Sequence, residues 1–481
     1  DIIYGGDGND TADGGNGTDL IYLGNGDDYL NIVSSGDDTF YGGAGNDYIY
    51  GYIGNETYYG EDGNDTLLGS SGNDTINGGG GDDYIDGGSD NDSIQGGDGN
   101  DIIYGGDGND TADGGNGTDL IYLGNGDDYL NITSSGDDTF YGGAGNDYIY
   151  GYIGNETYYG EDGNDTLLGS SGNDTINGGG GDDYMDGGSG IDTVDYTFWA
   201  SGGTYNLATG QAVLPGFYTE DILNFENILT GNGNDTVVGS AVANIIITNG
   251  GNDSITGGDG NDTINAGNGN DIIYADDGND TIYAGDGNDT VGGGNGNDLI
   301  YLGNGNDYLK ITSLGNDTFY GGAGNDYIYG STGNEIYYGE DGNDTLLGSS
   351  GNDTINGGSG KDILTGGSGV DIFEYRSLKD SLLANYDVIT DYAVGDKINA
   401  PGTVIATTLT AYSGIASSLS ATAISTVLTS GVFKANSAKA FKVNGFSGTF
   451  IALNNAVAGF DAANDSIIFL QNNTLGSVAI V

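Results

Sequence analysis

Along most of the chain one strongly apolar residue, set between two mostly polar or aromatic neighbours, is followed by six residues dominated by glycine, aspartate and asparagine. The pattern returns every nine residues. From Gly5 the units read GGDGNDTAD, GGNGTDLIY and LGNGDDYLN, then one unit of ten residues, then GGAGNDYIY. The apolar residue sits in the middle of each three-residue segment, as at Ile21, Leu30, Phe40, Ile49, Leu67, Ile76 and Ile85. Side chains alternate faces along a strand, so this spacing predicts short strands whose middle residue points inward and whose neighbours point out. The glycine-rich hexapeptides are turns. Two units then close one coil of eighteen residues, and stacked coils form two parallel sheets around a thin apolar core, with rows of turns along both edges.

A second level of repetition lies above the first. Residues 1–89 recur as 101–189 with Val33 replaced by Thr133 and Ile85 by Met185, and a more divergent copy runs from about Asp271 to Gly358. The ten-residue unit and an aspartate-to-glutamate change (Glu56, Glu156, Glu335) return in every copy. Thirty-six tyrosines are far more than a chain of this length ordinarily carries, and many fall on outward strand positions. Tyr4, Tyr22, Tyr41 and Tyr59 occupy alternate units and so stack in one column on one sheet. Each block of one hundred residues holds eleven units, an odd number, while a coil uses two. The copy Tyr104, Tyr122, Tyr141 and Tyr159 is therefore expected on the opposite sheet, and exposed aromatic columns of this kind mark contact surfaces.

Charge changes the picture. The chain carries 72 acidic against 8 basic side chains, a net charge of −64, with 99 glycines. Self-repulsion and the backbone freedom of glycine both oppose folding, so the bare chain is expected to stay unfolded until a cation neutralises it. Nucleic acid and anionic membranes would be repelled. There is no cysteine and no histidine, which excludes disulfides, zinc-protease motifs, Ser-His-Asp triads and most transition-metal sites. No GK[ST] follows the glycine-rich stretches and no G-x-S-x-G occurs, and no apolar run is long enough for a transmembrane segment. Near-identical carboxylates repeated along the chain suit repeated binding rather than one catalytic centre, so no enzyme is expected. Glycine turns bring carbonyl oxygens inward beside the sixth-position aspartate. An all-oxygen cage suits Ca2+ better than magnesium. About one divalent ion per repeat unit would come close to balancing −64.

The units GGAGNDYIY and GGDGNDTIN resemble the repeats-in-toxin (RTX) nonapeptide family. That resemblance implies an all-β fold: a calcium-loaded parallel β-roll (β-solenoid), with an irregular β insert and a small C-terminal β-rich domain. It also implies that turn carbonyls and the sixth-position aspartate share calcium between neighbouring coils. In the first roll, residues 1–193, that role falls to Asp10, Asp19, Asp28, Asp38, Asp47, Asp65, Asp74, Asp83, Asp92, Asp101, Asp110, Asp119, Asp128, Asp138, Asp147, Asp165, Asp174, Asp183 and Asp192. In the second, residues 235–374, it falls to Asp235, Asp253, Asp262, Asp271, Asp280, Asp289, Asp298, Asp307, Asp317, Asp326, Asp344, Asp353 and Asp362. Glu56, Glu156, Glu335 and Asn244 depart from the pattern. Between the rolls, residues 194–234 lose the register; Phe198, Trp199, Pro215 and Phe217 appear together there, and the segment reads as one enlarged, aromatic-packed coil.

Residues 375–481 change composition to Ala, Ser, Thr, Val and Phe. DIFEYRSLKDSLLANYDVITDYAVGDKI and FIALNNAVAGFDAANDSIIFL resemble the tail domain of cyanobacterial RTX-type surface proteins. The resemblance implies export by a channel that reads an uncleaved C-terminal signal, with acidic repeats threaded unfolded and folding on meeting calcium outside. Asp1 falls inside a repeat, so the chain reads as starting part-way along a longer array. The expected function is a secreted calcium-binding structural protein of an extracellular filament, sheath or matrix, self-associating into filaments. An adhesin that contacts a cell surface or polysaccharide, with the roll as spacer, and the secretion half of an enzyme are the alternatives.

Overall fold

The computed structural model describes every residue except 34, 217, 311–313 and 474–476, so the expectation placed on Phe217 lies outside the described residues. The chain forms two compact units, residues 1–198 with 203–229, and residues 199–202 with 230–481.

In the first unit the nine-residue units alternate between two parallel sheets. One begins Ile2–Asp7, Leu20–Asn25, Thr39–Ala44, Thr57–Asp62; the other runs through Tyr29–Asn31, Tyr48–Tyr50, Thr66–Leu68, Tyr84–Ser89. Register is kept residue for residue from coil to coil, as in Ile21 opposite Phe40 and Leu67 opposite Ile85. The middle residues Ile21, Leu30, Phe40, Ile49, Leu67 and Ile76 are all at most 1 % exposed and make up the core. Many strands are six residues rather than three. The first three turn residues go on pairing with the next coil, as Gly24 with Gly43 and Asn25 with Ala44, so the first turn position also faces inward, which is why Leu23 and Leu123 are fully buried.

The tyrosine columns divide as the odd unit count requires. Tyr4, Tyr22, Tyr41 and Tyr59 pair within one sheet, and Tyr104, Tyr122, Tyr141 and Tyr159 within the other. Their rings stack at centroid separations of 4.6–5.2 Å.

The insert keeps to the ladder. Thr193–Asp195 pairs in parallel with Asn227–Leu229 and Tyr184–Asp186 with Thr219–Leu223, while Thr204–Asn206 and Gln211–Val213 form an antiparallel hairpin joined to Thr219–Leu223. Its aromatic packing differs from the expectation. Phe198 is 81 % exposed because it lies in the turn after the strand Thr193–Asp195, and among the described residues of the insert the buried rings are Tyr196, Tyr205 and Phe225.

The second unit repeats the roll from Thr236–Val238 and Ile245–Ile247 onward, and carries the third tyrosine column, Tyr283, Tyr301, Tyr320 and Tyr338. The compositional break near Asp371 is not a break in the ladder. Asp387–Ile389 and Lys397–Asn399 add one more coil in parallel register. Ser466–Gln471 and Val478–Ile480 then extend the two sheets. Gly448–Leu453 and Ala438–Val443 continue the first of these as antiparallel strands, around a separate core of Phe433, Phe441, Phe450 and Ile424. A short helix, Ala421–Val427, is capped by Ser420, whose hydroxyl accepts the Ala423 N–H at 3.2 Å.

Candidate metal centres

Each turn places its sixth residue at the point where the chain enters a strand, pointing back under the turn. The predicted aspartates there form two rows in each unit, one along each edge. From Asp19 onward all of them are at most 3 % exposed, and Asp10 is half-buried. The two carboxylate oxygens have different surroundings. Oδ1 accepts the backbone N–H of the sixth residue one coil earlier: Asp47 N–H to Asp65 Oδ1 at 2.7 Å, Asp65 to Asp83 at 2.8 Å, Asp253 to Asp271 at 2.8 Å. Oδ2 is buried with no hydrogen-bond partner at every predicted position but Asp235, where the Thr230 hydroxyl donates to it at 2.6 Å. A buried carboxylate oxygen without a partner is costly, and here the cost recurs coil after coil.

The orphaned oxygen does not stand alone. Over Gly60, the first residue of its turn, converge Asp65 Oδ2 and the Gly78 carbonyl oxygen; a Cβ there would lie 2.3 Å and 2.2 Å from them. The same pair of oxygens converges over Gly69 (Asp74 Oδ2, Gly87 O) and Gly78 (Asp83 Oδ2, Gly96 O). The gap is thus a cradle of carboxylate and carbonyl oxygens left open by the missing side chain. The fourth turn residue is constrained as tightly. Gly63, at φ +143°, packs so closely that a Cβ would lie 1.8 Å from the Gly45 carbonyl oxygen. Among the described residues no three acidic side chains converge on one point, so any cation held here takes much of its coordination from backbone carbonyls.

Electrostatics point the same way. Burial, reinforced by the charges of Asp65 and Asp101, pushes the Asp83 carboxyl up to about 7, with the N–H of Asp65 partly opposing it. Asp92 is pushed to about 8 and Asp65 to about 6, again chiefly by burial. No lysine or arginine forms an ion pair with any sixth-position acid among the described residues. Hard oxygen donors and uncompensated negative charge fit a divalent cation of the calcium type. Residues 1–194, apart from 31 and 131, and residues 229–373, apart from 310, match the family described as RTX calcium-binding nonapeptide repeat. The chain belongs to that family. Its RTX repeats are calcium-binding motifs, and the roll is the fold they build. We found no match among curated proteins.

Four RTX turns depart from the cradle. In the unit of Glu56 the inward strand residue is Tyr58, whose hydroxyl donates to Leu68 O at 3.3 Å and Gly69 O at 3.4 Å. That hydroxyl takes the place over Gly51 that Oδ2 holds elsewhere, and Glu56 Oε1 is displaced toward Gly54. Tyr158 over Gly151 and Tyr337 over Gly330 repeat the substitution. At Asn244 the side-chain oxygen keeps its place, Oδ1 lying over Gly239 beside the Gly257 carbonyl oxygen, but it belongs to a neutral amide and already accepts the Ser240 N–H at 2.7 Å. Conversely, the rows run on past the predicted set. Asp353 N–H donates to Asp371 at 3.0 Å, Asp362 N–H to Asp387 at 3.0 Å and Asp371 N–H to Asp396 at 3.1 Å. Asp371 keeps the repeat spacing and was legible as the sixth residue of GGSGVD. Asp387 and Asp396 follow longer loops, and only strand pairing reveals them.

Proposed function

We propose that this chain is a secreted structural protein of an extracellular filament, sheath or matrix, whose rolls are folded and rigidified by about one calcium ion per regular turn. In this reading the sixth-position aspartates and the first-position carbonyls are the ligands, each ion tying one coil to the next. Calcium supplies the counter-charge that the few basic side chains do not. The observation that carries the reading is the row of buried, partnerless Oδ2 atoms facing carbonyl oxygens along each edge. Export in an unfolded, calcium-free state and folding outside follow from the same coupling of metal binding to folding.

A load-carrying role in a matrix is supported by regularity rather than by any single centre. In the first unit both sheets carry a stacked tyrosine column, so each outer face offers aromatic surface for side-by-side association. Electron microscopy of the calcium-loaded protein tests this. The expected result is ordered filaments or sheets that dissolve on chelation and are lost when Tyr22, Tyr41, Tyr122 and Tyr141 are changed to serine. Dispersed single particles at all calcium and protein concentrations would overturn the structural reading while leaving calcium binding intact.

A further inference from the structure

Between Asp192 and Asp235 the nine-residue spacing vanishes, and residues 195–228 fall outside the family match. The backbone nevertheless holds register. Asp221 lies opposite Tyr184, and its N–H donates to the Asp183 carbonyl at 2.9 Å. In regular coils the same bond runs from the residue after the sixth position to the sixth-position carbonyl one coil earlier, as from Thr66 to Asp47 and from Tyr84 to Asp65. Pairing therefore sets Glu220 in sixth position on the row that ends at Asp183. The other edge behaves alike: Asn227 N–H donates to Asp192 O at 2.9 Å, and Asp192 N–H donates to Glu226 Oε2 at 2.8 Å, the bond a regular aspartate accepts through Oδ1. The insert is thus a coil of the roll with a hairpin extruded from it.

Glu220 is 2 % exposed, and its Oε1 is buried without a hydrogen-bond partner. Its Oε2 accepts the hydroxyl of Tyr196, whose ring packs against that of Tyr205 in a tilted pair with centroids 4.7 Å apart. One coil earlier Asp183 is 3 % exposed and its Oδ2 is likewise without a partner. Two carboxylates on adjacent rungs each present a buried, unsatisfied oxygen, and neither forms an ion pair with a basic side chain among the described residues. Leaving both uncompensated is unfavourable. An oxygen-rich site with two carboxylates and flexible geometry suits calcium rather than a transition metal.

We propose that Asp183 and Glu220 hold a calcium ion inside the insert, with Tyr196 as a positioning residue that fixes the longer glutamate arm. The ion staples the insert to the first roll and carries the cation row through a segment where the repeat is gone. This rests on the roll itself being calcium-loaded.

Hydrogen exchange read by mass spectrometry on the full chain, across a series of free calcium concentrations, tests it. In the wild type, peptides covering 184–186 and 219–223 gain protection with calcium. In Glu220→Gln the calcium midpoint of those peptides rises about tenfold or more, while without calcium their protection equals or exceeds the wild type, because a buried charge has been removed. Tyr196→Phe raises the midpoint in the same direction by a smaller factor. Peptides covering 57–77 keep their wild-type midpoint in both variants. Loss of protection in Glu220→Gln that is equal with and without calcium would mean a packing role only and overturns the site, as would an unchanged midpoint in either variant. Calcium-independent protection of 57–77 in the wild type would instead overturn the calcium-loaded roll itself.

Discussion

In Asp74 one oxygen accepts the Glu56 N–H at 2.7 Å and ties two coils together, while the other lies buried without a partner under Gly69. Asp74→Ala removes both functions. Leaving the Glu56 N–H unsatisfied costs about 1–3 kcal/mol, and the lost ligand adds to that in calcium. Because coils couple only to their neighbours, exchange protection should fall in the coils on either side of residue 74 and stay unchanged in the second unit; a uniform loss would contradict local coupling. Gly63 makes a different demand. In Gly63→Ala the methyl would meet the Gly45 carbonyl oxygen, a backbone atom that cannot turn away, from a left-handed backbone that alanine disfavours. This variant should require several-fold more calcium to reach full β signal by circular dichroism than Thr75→Ala, at an exposed strand position.

At the scale of an element, the tyrosine column is where outward side chains add stability. Tyr41 stacks between Tyr22 at 4.7 Å and Tyr59 at 4.8 Å, and stacked aromatic pairs contribute about 0.5–1.5 kcal/mol each beyond area burial. Tyr41→Ser therefore should lower the calcium-loaded stability by roughly 1–3 kcal/mol, measured by denaturant unfolding, whereas Tyr4→Ser, at the end of the column and 73 % exposed, loses one contact and about half as much. In the third column the same row ends differently. Arg376 lies over the Tyr338 ring at 4.5 Å and bonds its hydroxyl at 2.9 Å, closing that column with a cation.

For the whole molecule, charge decides. At −64 the metal-free chain must neutralise its carboxylates or unfold. Chelation near neutral pH should abolish most of the β signal of the rolls. Acidification offers a second route to neutralisation, and its sign follows from the shifts. Asp65 is raised to about 6, Asp83 to about 7 and Asp92 to about 8, all above the ordinary carboxylate value of the unfolded chain. Through the window from about 4 to 8 the folded state binds more protons than the unfolded one, so metal-free stability falls as pH rises. Circular dichroism in chelator should show β structure returning as pH is lowered from 8 to 5. A metal-free signal that instead grows with pH would contradict the buried-carboxylate account.

The hydrophobic period by itself determined the strands, the two sheets, the core residues and the division of the tyrosine columns, because a nine-residue repeat leaves one inward side chain per strand no alternative face. It also placed the sixth-position acids, since their spacing is tied to that period. The first turn position, buried at Leu23, was not legible: pairing carries the strand three residues into the turn, and glycine hides which way a side chain would face. Nor were Glu220, Glu226, Asp387 and Asp396, whose places in the rows depend on loops of irregular length. Strand register, a long-range hydrogen-bonding property, brings them to the edge. Only the tertiary structure decided that a phenol hydroxyl displaces the carboxylate over Gly51, because that exchange needs Tyr58 to reach across the core to the turn, a distance set by packing and not by spacing along the chain.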